Sequence, residues 1–357
     1  MKHFILALSC AWLSTTTLTL ADNPHNSDNP ASWTRPDAHA PIGVMGDHMH
    51  KAGEFMFAIR QMHMSMNNNK IGTHKQSDEQ ILAIDNGHAG MPKLRAVPQH
   101  MEMDMTMISG MYAPNDRVTL MLGSVYTSKK MAVRTYNGMG TYLGQFTSRS
   151  QGLGDTTIAA LMALPNYAGG ELHAGLGLSL PTGSIQQQGI MLTPMNTNIQ
   201  ARLPYGMQLG SGTYDLKPSL TYTKQWARYS FGAQIGGTLR LDDNSQGYAL
   251  GDAAYLKAWG ARRLRDNLSL SLSVSATRAQ DIHGQDALID KPVQTAQPAF
   301  YGGERVNLGI GVNWVGTQGV LLGHRLALEI SGPAYEDLNG PQMAQDWNLM
   351  LGYQKAF

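Results

Sequence analysis

The chain has 357 residues, a formal net charge of +1 and 42% hydrophobic residues, with 39 glycines and a single cysteine. A charge this close to balance argues against a polyanion partner, so no nucleic acid is expected. Beyond the N-terminal region no run reaches 18 consecutive apolar residues, the length a membrane-crossing helix requires, and the glycine-rich, half-polar composition fits alternating strands better than helices.

The chain opens "MKHFILALSCAWLSTTTLTLADNP". Lys2, an apolar stretch from Phe4 to Leu13 and a small-residue tract ending Thr19-Leu20-Ala21 predict a secretory signal peptide over 1–21, cleaved near Ala21. Cleavage removes Cys10 and with it every thiol, as suits an exported protein held together without disulfides. "ALSC" loosely resembles a lipidation box, a competing reading weakened by the short apolar run before it. Residues 22–52 are expected to form a periplasmic N-terminal extension, and 53–357 a single barrel domain. The polar, proline-punctuated stretch Asp22–Pro41 has no periodicity, which predicts a segment that is mobile or partly tucked into the lumen.

"VMGDHMHKAGE", residues 44–54, gathers Met45, Asp47, His48, Met49 and His50. Imidazole and thioether donors together suit copper, Cu(I) above all, and Met62, Met64 and Met66 continue such a path along the next strand. Of 22 methionines, 15 fall between Met45 and Met139. Against a copper site stands a plain linker: His-x-His arises often by chance, and an unstructured stretch holds no ligand geometry.

From residue 53 onward the chain is governed by a period of two. "GEFMFAIRQMHMSM" sends Phe55, Phe57 and Ile59 to one face and Met56, Arg60, Met62, Met64 and Met66 to the other. "HMEMDMTMISGMY", residues 100–112, alternates Met101, Met103, Met105 and Met107 with Glu102, Asp104 and Thr106. In a membrane-spanning strand, charges facing lipid cost kilocalories per mole. Glu102 and Asp104 are therefore expected to face the lumen beside Arg60, and the methionines to face lipid. There the three charges either satisfy one another or form a selective constriction. The alternation recurs in "ELHAGLGLSLP", "YSFGAQIGGTLRL", "RVNLGIGVNW", "HRLALEI" and "DWNLMLGYQKAF". It is cleanest in "NLSLSLSVSAT", where Leu268, Leu270, Leu272 and Val274 oppose Ser269, Ser271, Ser273 and Ser275.

The connections alternate long and short. Asn67–Pro98, Ser128–Gly152, Ile185–Thr213, Asp242–Gly251, Asp281–Gly303 and Gly332–Gln345 are separated by "APNDR", "PNYAGG", "WAR", "RDN" and "VGTQGVLLGH". Long extracellular loops, short periplasmic turns and about twelve strands of roughly ten residues predict an all-β fold, a transmembrane antiparallel β-barrel of an outer membrane. A barrel must close because lipid leaves no other partner for backbone groups. Phe357 ends an alternating strand, as terminal strands read by the barrel assembly machinery do. Lys355, on the expected apolar face, can snorkel at the rim. A soluble β-sandwich also alternates, but needs neither regularly alternating loop lengths nor aromatics near strand ends such as Tyr112, Tyr126, Tyr229, Trp259 and Trp314.

"APIGVMGDHMHKAGEFMFAIRQMHMSM", "VPQHMEMDMTMISGMYAP", "SQGLGDTTIAALMAL", "YGMQLGSGTYDLKPSLTYT" and the C-terminal "GHRLALEISGPAYEDLNGPQMAQDWNLMLGYQKAF" together resemble the outer-membrane transporter family named for the MetA pathway of phenol degradation. The resemblance covers about Ala40 to Phe357. It implies a barrel of a Gram-negative outer membrane that admits small organic compounds, with aromatic ones as candidates, and it carries no ligand residues over.

The expected function is a passive channel whose lumen is lined by Arg60, Glu102, Asp104, Lys217, Arg240 and Asn307, the first three forming the constriction. Its partners are outer-membrane lipid and lipopolysaccharide, the assembly machinery and a small solute. The alternatives are a copper-handling barrel using Met45, His48, Met49, His50, Met62, Met64 and Met66, and a closed structural barrel. No G-x-S-x-G, H-E-x-x-H or Walker pattern occurs, and Asp281, His283 and His324 are scattered, so no enzyme is expected.

Overall fold

The computed structural model describes residues 35–86 and 92–357. The expected signal peptide and the first part of the extension lie outside the described residues. Eleven strands build the wall: β1 (Phe55–Gly72), β2 (Ala96–Asn115), β3 (Val118–Tyr136), β4 (Thr156–Tyr167), β5 (Gly170–Leu180), β6 (Asp215–Gln225), β7 (Tyr229–Arg240), β8 (Ala253–Arg265), β9 (Leu268–Ala279), β10 (Gly303–Val315) and β11 (His324–Ala356). Each pairs antiparallel with the next, and β11 pairs with β1 to close the sheet. Residues 325–338 of β11 pair with β10 and residues 342–356 with β1, so this strand crosses the wall twice. The wall thus has the even number of crossings that an antiparallel closure requires, with no exposed edge left to satisfy. No helix among the described residues is long and apolar enough to cross a membrane.

The alternation is realised inside out. On β9, Ser269 and Ser271 are 0% and 2% exposed, whereas Leu272 on the opposite face is 64% exposed. A sandwich in water would bury the leucines; only a wall whose outer solvent is hydrocarbon leaves them bare. Leu328 and Ile330 on β11, Ile310 on β10 and Leu256 on β8 continue the apolar outer belt. Tyr112, Tyr126 and Tyr229 are exposed, but Trp259 is buried. That tryptophan corrects the expectation for it, since it turns inward against Ala40 and Val44.

The first three strands run to 18, 20 and 19 residues. At about 3.4 Å per residue this is roughly twice the strand length a bilayer needs. The surplus stands above the belt, where a strand outside the barrel path, Tyr142–Leu153, pairs with the upper half of β3. Upper loops fold back over the bore. Leu203, Tyr205, Met207, Tyr248, Ile282, Ile289 and Val293 form one buried apolar cluster, a cap across the extracellular mouth.

Candidate functional site

Residues 35–54 run inside the wall and fill its lower half. Sequence alone leaves Asp22–Pro41 as mobile or partly tucked into the lumen, and its described part, residues 35–41, lies inside the wall. Wall side chains from many strands bind its backbone. The Ser269 hydroxyl donates to the Pro36 carbonyl at 2.8 Å, Asn313 to His39 at 3.4 Å and the Arg325 guanidinium to Ala40 at 2.6 Å. Lys257 donates to the Gly43 carbonyl, while the Gly43 N–H donates to Glu329. Gln234 and His173 hold Met45 and Gly46 by their carbonyls. The wall supplies these donors because backbone groups buried without partners cost about 1–3 kcal/mol each. Gly46 sits at φ +63°, a left-handed backbone that favours glycine at this turn.

Between this plug and the cap lies a cavity of about 670 Å³. One wall is methionine: Met66, Met101, Met103, Met105, Met131 and Met343. Below it, Ile42 of the plug packs with Met62 and Met350, flanked by Met64, Met103, Met105 and Met107. The opposite wall is polar, carrying Asp155, Asp215, Lys217 and Arg240. Arg240 is ion-paired with Asp215, and Asp155 accepts the N–H groups of Gly183 and Ser211 at 2.9 and 2.8 Å. Lys129 donates to the carbonyls of Gly206 and Gln208, fixing the cap to the wall.

The methionine wall reverses one expectation. In the β1–β2 register Arg60 stands opposite Met107, Met62 opposite Met105, Met64 opposite Met103 and Met66 opposite Met101. Residues directly opposite share a face, so the ladder joins the inward methionines of β1. Glu102 and Asp104 lie on the outer face, where Asp104 meets His63 at 2.8 Å and Glu102 meets Lys130 at 3.6 Å. The cost of charge facing lipid does not arise on a strand long enough to rise past the bilayer. Arg60 is inward and buried, beside the plug's Ile42 at Gly352 and on the opposite face from both acids. Lys217 and Arg240 line the cavity.

Of the metal candidates, His48 and His50 lie in the plug and the two methionines beside them do not join their rings. Met45 is 41% exposed, and Met49 packs with Met56, Met111, Leu161 and Met121. Met62, Met64 and Met66 line the bore higher up. His39 joins the two histidines instead: the His39 and His48 rings lie 5.1 Å apart and the His48 and His50 rings 5.0 Å apart. Asp47 is buried with them, its Oδ1 3.0 Å from His48 Nδ1 and its Oδ2 accepting the Ala40 N–H at 2.9 Å. Burial alone would raise the Asp47 carboxyl, but His48, Arg325 and His39 outweigh it and hold the group well below the usual carboxylate range. Burial, then His48, pushes the His50 imidazole down to about 4 against the pull of Glu54. His50 is therefore neutral at pH 7 and keeps a ring lone pair. Asp47 stands in the stretch that sequence singles out, whereas His39 escapes a reading by local spacing, because a turn of several residues separates it from Asp47 and His48.

No family model and no curated relative matches the chain. Among solved structures it is similar to an outer-membrane channel from Pseudomonas putida F1, at 14% identity and a TM-score of 0.55, over 88% of this chain and 100% of that one. The toluene transporter TodX of P. putida is a looser match, at 10% identity and a TM-score of 0.45, over 86% and 91%. At this identity the likeness is one of fold, and the fold is that of the outer-membrane β-barrels.

Proposed function

We propose that the protein is an outer-membrane channel for small amphipathic organic molecules, aromatic compounds included, which pass down their gradient through a bore restrained at both ends. The carrying observation is the two-sided cavity between plug and cap. Its volume falls in the range of small-molecule sites, roughly 300–1,000 Å³. Polarizable thioethers on one side suit rings and alkyl chains. Among the charged lining residues Arg240 is paired with Asp215 and Arg305 with Glu336, and Lys129 and Lys217 outnumber the remaining Asp155, which favours solutes that also carry a negative group, such as aromatic carboxylates. Arg60, below the cavity, is the constriction residue of this reading; Glu102 and Asp104, on the outer face, take no part in it. The channel sits in the outer membrane of a Gram-negative cell, among lipid and lipopolysaccharide, inserted by the barrel assembly machinery through its last strand.

The test is uptake into liposomes carrying the refolded mature chain. Benzoate should enter faster than a neutral sugar of similar mass, and Lys217→Ala should narrow that preference. Equal rates for both solutes would reject the substrate class. Failure of either to enter would favour a closed structural barrel.

A further inference from the structure

Three imidazoles and a carboxylate are buried together in the lower bore, where a plug needs only to fill space. One ligand atom from each of His39, Asp47 and His48 lies within 4.8 Å of the others. His50 flanks the group, its ring stacked edge-on to His48. The Nε2 atoms of His48 and His50 are buried without a hydrogen-bond partner, and the His50 side chain is 1% exposed. A buried unpartnered polar atom costs about 1–3 kcal/mol, and a bound cation removes that cost for both rings at once.

From this geometry we propose that His39, Asp47 and His48, with His50 as fourth donor, bind one divalent first-row transition ion, Zn2+ or Cu2+, that locks the plug in the bore. Donor chemistry selects the class. Imidazole nitrogen and carboxylate oxygen are borderline ligands suited to Zn2+ and Cu2+, whereas Cu(I) prefers thioethers, which lie outside this group. Tetrahedral donors about 2.1 Å from an ion stand roughly 3.4 Å from each other, so binding draws the ligands inward by side-chain rotation. Supporting contacts are in place: the His50 Nδ1 meets Glu54 at 3.2 Å, and Asp47 is held by the Ala40 N–H. Such outer partners fix ring orientation in metal sites. The ion would tie residue 39 to residues 47–50, closing the loop that crosses the bore. Ion binding itself stands without the channel reading.

The test titrates the refolded, metal-free mature chain with ZnCl2 and CuCl2 by calorimetry. One ion per barrel is expected, with affinity at least tenfold weaker in His48→Ala and Asp47→Asn and unchanged in His63→Ala and His283→Ala. Equal affinity in all of these, or loss only in the His63 or His283 variants, would overturn the site. Because a plug variant can fail to fold, Co2+ loading of the unaltered chain gives a second reading: intense visible d–d bands support a tetrahedral site, and a spectrum like that of aqueous Co2+ refutes it. In bilayers Zn2+ should lower the open fraction of the unaltered chain and leave that of Asp47→Asn unchanged; an equal response of the two would overturn the lock.

Discussion

Glu329 holds Gly43 across the bore: its Oε2 accepts the Gly43 N–H at 2.8 Å, while its Oε1 accepts the Ser273 hydroxyl at 3.0 Å. A hydrogen bond to a charged acceptor is worth about 1.5–3 kcal/mol. Removing the carboxylate therefore loosens the plug at its middle. Glu329→Ala should raise the open fraction in single-channel recordings about tenfold or more, the factor that roughly 1.4 kcal/mol gives. An unchanged open fraction would mean that the plug is held elsewhere.

The facing of the β2 ladder is testable with single cysteines, since the only native cysteine, Cys10, lies in the expected signal peptide. Asp104→Cys should react on intact cells with a bulky impermeant maleimide. Met103→Cys, turned toward the cavity, should resist that reagent and react only with small thiol reagents. The opposite pattern would restore the acids to the lumen.

Gly232 stands opposite Trp259 in the β7–β8 register, and a Cβ on it would lie 2.1 Å from the indole. The ring lies over the gap the glycine leaves and covers Ala40 and Val44 of the plug. Gly232→Ala should push the indole into the plug and destabilise the protein by about 1–3 kcal/mol, the usual cost of overpacking. Urea unfolding followed by tryptophan fluorescence would read the shift. A native-like midpoint would show that the ring has room to move.

Asp155 clamps both ends of the loop that reaches over the bore, by Gly183 at one end and by the N–H and hydroxyl of Ser211 at the other. Asp155→Ala should free this loop. Arg202, buried at 7% exposure and paired with Asp286, should then become a trypsin site. The expected gain is a cleavage rate at least tenfold above that of the unaltered chain. Equal rates would show that the Arg202–Asp286 pair holds the loop without help.

Much of the wall is legible in the chain because a strand in lipid has only two environments, and residues such as Ser271 and Leu272 report them directly. The error at Glu102 and Asp104 has a physical source. Charge shuns the outer face only over the bilayer span, and β2 is about twice that long. Alternation fixes which residues share a face but not which face is inside. On β1 the run Phe55, Phe57, Ile59 decides it, and only the pairing of Met62 with Met105 carries that decision to β2. Residues 35–54 have no period at all, since they follow no regular element and their contacts change from residue to residue, so the gathering of His39 with Asp47 is visible only once Gly46 turns the chain.

The backbone of Phe55 exchanges hydrogen bonds with Phe357 at 3.3 and 2.8 Å, so the first and last residues of the wall meet at its seam. Residues 35–54 lead directly into that seam. No residue separates the segment from the strand that closes the wall, so a pull on the plug loads the pairing of β1 with β11 first.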